Sequence, residues 1–291
     1  MDLIRLPDVE RRDRSSVAVG TFDGVHLGHR EVIRGSESVL TFDPHPVSVV
    51  APEHTPKLLT TLERKAELIE SLGVGELIVI PFDAEFASCS AEQFIEDVLL
   101  GALCAQRVAI GENFRFGHRA RGDRRLLAAD GRFVTVVHPL LELDGEIVSS
   151  SHIRGLVLAG EVRAANRLLG APFLLEGEVT HGDERGRELD FPTANLVPEE
   201  ALVCPGHGVY ACLADGRPAA VSVGVRPTFN TGRGELIEAH ILDFDGDLYG
   251  SRLRLEFLER LRGERRFESP EALVEQMRAD VERTREIIGP G

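Results

Sequence analysis

Residues 1–171 predict an α/β domain built on a parallel sheet, Rossmann-like in layout. Residues 172–291 predict a small antiparallel β-barrel closed by a C-terminal helix. Three observations carry this division. In the first half, short, largely apolar runs (Val17–Val19, Val39–Phe42, Leu77–Ile80, Arg107–Ile110, Phe133–Val137) alternate with amphipathic stretches at helical spacing, the pattern of strands covered on both faces. After Pro172 that alternation stops, and five short strand candidates follow with tight-turn residues between them. The last segment has Ser269 to cap a helix, Pro270 at its first position, and Leu273, Val274, Met277 and Val281 on one face.

The first strand, Val17–Val19, runs into Gly20-Thr21-Phe22-Asp23-Gly24-Val25-His26-Leu27-Gly28-His29, and then into a helix start. A glycine-bearing turn lets backbone approach a ligand closely, and a helix start offers free N–H groups to an anion. His26 and His29 lie where such an anion would bind. The turn is neither a Walker A loop nor G-x-G-x-x-G. The second strand ends in Asp43-Pro44-His45-Pro46. Thr60-x-x-Glu63 reads as a capping box that opens a helix to Leu72, with Gly73 as its stop, and Ser90-x-x-Gln93 as another. Arg107–Ile110 leads into Gly111-Glu112-Asn113-Phe114-Arg115-Phe116-Gly117. Ser149-Ser150-Ser151-His152-Ile153-Arg154 opens a helix that breaks near Gly160. Open α/β sheets bind ligands at the carboxyl ends of their strands, and these polar loops all fall there. Each alone is equally a structural turn or cap; their convergence points to a nucleotide.

Phe173–Thr180, Val209–Leu213, Ala219–Val223, Ile237–Leu242 and Leu253–Leu258 are the barrel strands. Asp215-Gly216 and Asp245-Gly246 read as hairpin turns. His181–Arg187 is a glycine/arginine loop suited to phosphates. Thr193 and Asn195 alternate, so they share one side of an extended chain and can hold Mg²⁺ with ATP. Glu238 offers a base. Asp243-x-Asp245-x-Asp247 is rejected as a calcium loop, because its glycine is misplaced and residue 254 is Arg.

The chain has 291 residues and a net charge of −15, which argues against a nucleic-acid surface. Lysine occurs only at 57 and 65, so arginine supplies nearly all the cationic chemistry. The four cysteines form no C-x-x-C pair and read as reduced thiols. With no signal peptide and no apolar run near 18 residues, the expectation is a cytoplasmic protein that does not engage a membrane. Monomer or weak homo-oligomer is the expected state.

G-T-F-D-G-V-H-L-G-H, T-F-D-P-H-P, G-E-N-F-R-F-G and S-S-S-H-I-R, in this order, resemble the adenylyltransferase module of bacterial bifunctional riboflavin kinase/FAD synthetase. H-G-D-E-R-G-R-E-L-D-F-P-T-A-N-L, G-V-R-P-T-F and I-E-A-H-I-L-D-F-D-G-D-L-Y-G resemble its riboflavin kinase module. The resemblance implies riboflavin plus MgATP to FMN in the second domain, then FMN plus ATP to FAD and pyrophosphate in the first. It assigns nucleotide binding to Gly20, Phe22, Asp23, Gly24, His26, His29, His45, Asn113, Ser150 and Arg154. His26 and His29 also stabilise transition-state charge. In the kinase it assigns Gly182, Arg185 and Arg187 to phosphates, Thr193 and Asn195 to Mg²⁺, Glu238 to proton removal, and Arg262, Glu264 and Phe267 to the flavin. The runner-up is a riboflavin kinase whose first domain no longer transfers adenylyl groups. A flavin-binding regulator without catalysis fits the retained polar set less well.

Two departures from the family pattern stand out. Asp190 replaces the glycine before Phe191-Pro192-Thr193, which predicts weaker ATP binding. Only Arg30–Leu40 separate the histidine pair from the second strand. A helix from His29 to Gly35 rises only about 10 Å, less than a parallel crossover ordinarily needs. The expectation is that residues are missing between Arg34 and Ser38, or that a true deletion compromises adenylyl transfer.

Overall fold

The computed structural model describes residues 1–180, 191–225 and 235–289. The chain divides into two compact units, Met1–Ser150 and Ser151–Gly291.

The first unit holds a six-stranded sheet of β1 (Asp2–Arg5), β2 (Val17–Val19), β3 (Ser38–Asp43), β4 (Glu76–Pro81), β5 (Arg107–Gly111) and β6 (Val134–His138). Their order is β1-β4-β3-β2-β5-β6, and every pairing is parallel. Strand side chains alternate between faces. Val17, Val19, Leu40, Phe42, Ile78 and Ile80 join one core. Ala18, Val39, Leu77 and Val79 join another on the opposite face. Burial on both sides is why these strands read as unbroken apolar runs. The strand order reverses between β2 and β5, which places a ligand crevice at their carboxyl ends.

Helix α1 (Leu27–Ile33) connects β2 to β3. Between α1 and β3 the chain turns over residues 34–37. Arg34 N donates to Arg30 O at 2.9 Å, Gly35 turns the chain with φ +73°, and Ser36 N donates to Ile33 O at 2.9 Å. Strand β2 is only 3 residues long, so the connection has little length to span. Helix α2 (Leu62–Glu70) is capped by Thr61, which accepts from Arg64 N at 3.1 Å, and not by Thr60 as expected. Thr60 Oγ1 instead accepts from Gly24 N at 3.2 Å. The capping box of Ser90 and Gln93 forms as expected.

In the second unit, α3 (Ser150–Ala159) and α4 (Val162–Leu169) break at Gly160, which adopts φ +78°. Strands β7 (Phe173–Thr180), β8 (Ala194–Pro198), β9 (Gly208–Ala214), β10 (Arg217–Val225), β11 (Glu235–Ile241) and β12 (Arg252–Arg262) form a closed antiparallel barrel, in the order β7-β8-β11-β10-β9-β12. Asn166 of α4 fastens onto it, donating to Phe257 O and accepting from Phe173 N, both at 2.7 Å. Asp215 and Gly216, both at positive φ, make the β9–β10 hairpin. Asp245-Gly246 does not make one. β11 pairs with β8 and β10 and β12 with β7 and β9, so this segment crosses to another part of the barrel. Helix α5 (Pro270–Ile288) is capped by Ser269, which accepts from Ala272 N.

Candidate functional sites

The front site is built on the β2–α1 turn. Phe22 and Val25 hold φ of 49° and 41°, strained values for side chains of their type, and Gly24 holds 82°. Gly20 leaves no room for a Cβ, which would lie 2.9 Å from the Phe22 ring. The buried carboxylate of Asp23 secures the turn by accepting from Leu59 N at 2.9 Å and Thr60 N at 3.3 Å. Ser150 Oγ donates to Asp23 O at 3.0 Å.

His26 caps α1, its Nδ1 accepting from His29 N at 3.2 Å. His45 caps the short helix Pro46–Val50 in the same way, its Nδ1 accepting from Val47 N at 3.2 Å. In both neutral rings the proton therefore sits on Nε2, which leaves that nitrogen a donor. The His29 ring stacks on His26 with centroids 3.5 Å apart and meets Phe22 edge-on at 5.3 Å. Burial, helped by His26 and Lys65, holds the His29 pKa well below the usual imidazole range. His29 is thus neutral at pH 7, with a buried Nδ1 that has no hydrogen-bond partner.

A cavity of about 870 Å³ opens beside this turn. His29, His45 and Asn113 supply polar side chains to its lining beside Gly20 and Phe22, and Phe42, Phe82, Phe86, Phe94, Phe114 and Phe116 make its apolar wall. The rings touch in series, from Phe42 through Phe82, Phe86 and Phe94 to Phe116, with Phe114 stacked on Phe116. An apolar slot with a few convergent polar groups suits a planar ring system carrying an anionic tail. Arg154 lies on α3 and donates to Ser151 Oγ at 3.2 Å.

In the second unit, cross-strand register builds one row on one face of the barrel. Thr180 opposes Asn195, Asn195 opposes Glu238, Glu238 opposes Ser222, Ser222 opposes Val209, and Val209 opposes Arg262. Their strand neighbours Ile237, Ala239, Val221 and Val223 are fully buried, so the row lies on the outer face. At one end, Thr193, Pro192, Ile241, Phe244, Asp245, Asp247 and Tyr249 line a pocket of about 230 Å³. The ring of His240 faces Phe191 and bonds Pro192 O at 2.9 Å, which shapes the approach to Thr193.

At the other end, Arg262 grips Asp280 of α5 with bonds of 3.1, 3.0 and 2.8 Å. Gln276 Nε2 donates to the same carboxylate at 2.9 Å. Phe267 lies beneath the guanidinium groups of Arg262 and Arg265. Glu264 lies against Gly224 and 3.8 Å from His207. Gly182, Arg185, Arg187 and Asp190 lie outside the described residues, as does the Arg226–Phe229 part of G-V-R-P-T-F. Among the described residues no group of three or more His, Cys, Asp and Glu is placed to hold a metal ion. Sequence reasoning passed over Lys65, a lone buried lysine that no motif marks, and Ser222, which only register places beside Glu238.

The two sites describe a nucleotidyltransferase-type parallel-sheet unit joined to a kinase-type barrel. The family model for FAD synthetase matches residues 8–152, and that for riboflavin kinase matches residues 169–288. The chain is 38% identical to the bifunctional riboflavin kinase/FMN adenylyltransferase of Bacillus subtilis, over 93% of this chain and 92% of that one. It is 36% identical to the Pseudomonas fluorescens protein of the same description, over 100% and 99%. That alignment runs over 309 columns against 291 residues here, so the relative carries at least 18 positions that this chain lacks. A solved structure titled macrolide-efflux protein from Streptococcus pneumoniae superposes with a TM-score of 0.90 at 31% identity, covering 98% of this chain and 99% of that one. Among the described residues no helix is long and apolar enough to cross a membrane. The chain belongs to the bifunctional riboflavin kinase/FMN adenylyltransferase family.

Proposed function

We propose that the chain makes FMN from riboflavin and MgATP in its barrel, residues 172–291, and FAD from FMN and a second ATP in residues 1–171, releasing pyrophosphate. One observation carries the kinase reading: Glu238 stands directly opposite Asn195, one position beyond the Thr193 pocket. A carboxylate within reach of the ribityl 5′-hydroxyl takes its proton as the oxygen attacks the γ-phosphate, and ADP departs. Thr193 and Asn195 offer a hydroxyl and an amide oxygen, hard donors suited to Mg²⁺, and Asn195 is buried beside the base. When bound, Mg²⁺ supplies charge neutralisation to the phosphates. Gly182, Arg185 and Arg187 are proposed to hold the phosphates as well. Arg262, Glu264 and Phe267 are proposed to frame the flavin at the far end of the row, Arg262 through its hold on Asp280.

In the front site, His26, His29 and His45 are proposed to donate hydrogen bonds to the ATP phosphates. Gly20, Phe22, Asp23 and Gly24 shape the turn beneath them, and Asn113, Ser150 and Arg154 bind nucleotide or pyrophosphate. Attack of one phosphate on another needs alignment and a favourable field rather than covalent help. The reading of a kinase with an inactive first unit is not favoured, since the FAD synthetase match covers residues 8–152. We infer a cytoplasmic enzyme, monomeric or weakly self-associating.

Incubation with riboflavin and MgATP, with flavins separated by chromatography, tests both reactions. FMN followed by FAD is the expected outcome. FMN without FAD removes the front-site assignment, and no phosphorylated flavin removes both.

A further inference from the structure

Lys65, on α2, is one of two lysines in the chain, and its side chain is only 8% exposed. A buried ammonium ordinarily finds a carboxylate or a full set of acceptors. Among the described residues Lys65 makes no hydrogen bond and no ion pair through its side chain. Burial pushes the Lys65 pKa down from its usual value, Asp23 and Asp43 oppose that by favouring its protonation, and Lys65 acts in turn on His29. All three belong to the carboxyl edge of the sheet: Asp23 in the β2–α1 turn, His29 in α1, and Asp43 at the end of β3.

The helix that carries Lys65 is fastened to that edge. Leu59 N and Thr60 N donate to Asp23, Thr60 Oγ1 accepts from Gly24 N, and Lys65 N donates to Thr61 O. Backbone donors thus hold the Asp23 carboxylate in place but leave its negative charge uncancelled. Two neighbouring side chains of the turn are otherwise placed. His29 is held neutral by burial, and Arg30 is turned back so that its Nε donates to Val25 O at 3.1 Å. A site proposed to receive a polyphosphate thus carries two carboxylates in a chain of net charge −15.

We propose that Lys65 is the positioning cation of the front site: its ammonium group offsets Asp23 and Asp43, so that the polyphosphate of the nucleotide can lie beside the His26–His29 pair. This rests on the adenylyl-transfer reading given above. Lys65 acts through the field, and its contribution falls on nucleotide binding rather than on proton transfer.

Steady-state kinetics of FAD formation from FMN, using the full chain, tests it. Lys65→Met is expected to raise KM for ATP by about tenfold, and Lys65→Arg by less than about threefold. The double variant Lys65→Met/Asp43→Asn is expected to recover part of the loss, because the unopposed carboxylate is gone. Riboflavin phosphorylation in the barrel stays unchanged and serves as the internal control. A KM for Lys65→Met within twofold of the parent overturns the proposal, as does a loss that Asp43→Asn leaves unrelieved. Should Lys65→Met fail to fold, Asp43→Asn alone decides. The exposed Asp43 can lose its charge without disturbing the core, and KM for ATP should then fall by about twofold; an unchanged or higher value overturns the proposal. A parent protein that forms no FAD defeats the front-site reading itself. A parent that forms FAD with an insensitive Lys65 defeats only this inference.

Discussion

Asn195 on β8 and Glu238 on β11 are directly opposed across the barrel wall, although much of the second unit's sequence separates them. Directly opposed residues hold their Cβ atoms about 5 Å apart, so the amide proposed for the metal and the carboxylate proposed as base are set by one strand pairing. Ser222 flanks Glu238 on the other side. This arrangement predicts that Glu238→Gln lowers kcat for FMN formation by about a hundredfold or more, while FAD formation from supplied FMN is unchanged. Product chromatography with each substrate separately checks it.

His29 yields a pH prediction. Its folded-state pKa lies well below the ordinary imidazole value of about 6.5, chiefly through burial. The unfolded chain therefore binds the extra proton as pH falls through about 6.5, and the native state does not. Stability of the first unit is full above that pH and is lost as pH drops below it, by at most about 1.4 kcal/mol per pH unit from this group. Thermal unfolding between pH 5 and 8 should show a shallower slope for His29→Asn than for the parent.

Much of this was legible before the structure, and the failures have physical causes. Strands buried on both faces leave an unmistakable apolar run, so β2 to β5 could be read directly from the chain. The cap at α2 was placed one residue early, because Thr60 and Thr61 are equally good caps by type. Only the tertiary bond from Gly24 N to Thr60 decides between them. Asp245-Gly246 has hairpin residues, but a closed barrel's strand order overrides local turn chemistry. Lys65 was invisible because a lysine in an amphipathic helix is ordinarily solvated; only packing reveals that it is covered.

The fork of Arg262 on Asp280 ties α5 to the barrel at the end of the polar row. Both side chains are largely covered, at 19% and 7% exposure. Removing the carboxylate strands a guanidinium group and also frees Gln276. Asp280→Ala is expected to destabilise the second unit by about 2–3 kcal/mol, somewhat below the value for a fully buried pair. Denaturant unfolding measures it, and a change under 0.5 kcal/mol would contradict the role given to the pair.

Gly117 joins two constraints at the rim of the aromatic cavity. Its φ is +70°, and a Cβ there would lie 2.5 Å from Ala91 N and 2.6 Å from Ala91 Cα. Those atoms belong to the first turn of the helix capped by Ser90, which cannot yield without disturbing Phe94 on the cavity wall. The loop beyond it is already strained, with Arg119 and Ala120 both at φ 55°. Gly117→Ala therefore meets a steric clash as well as a left-handed backbone, together costing about 2 kcal/mol or more. The expected result is a raised KM for FMN in FAD formation and a lowered unfolding temperature, with riboflavin phosphorylation intact. Arg119→Gly, placed at a position whose φ favours glycine, is expected to do the opposite to stability, raising it by about 0.5–1 kcal/mol. If Gly117→Ala and the parent bind FMN equally in a flavin-fluorescence titration, this rim does not shape the cavity.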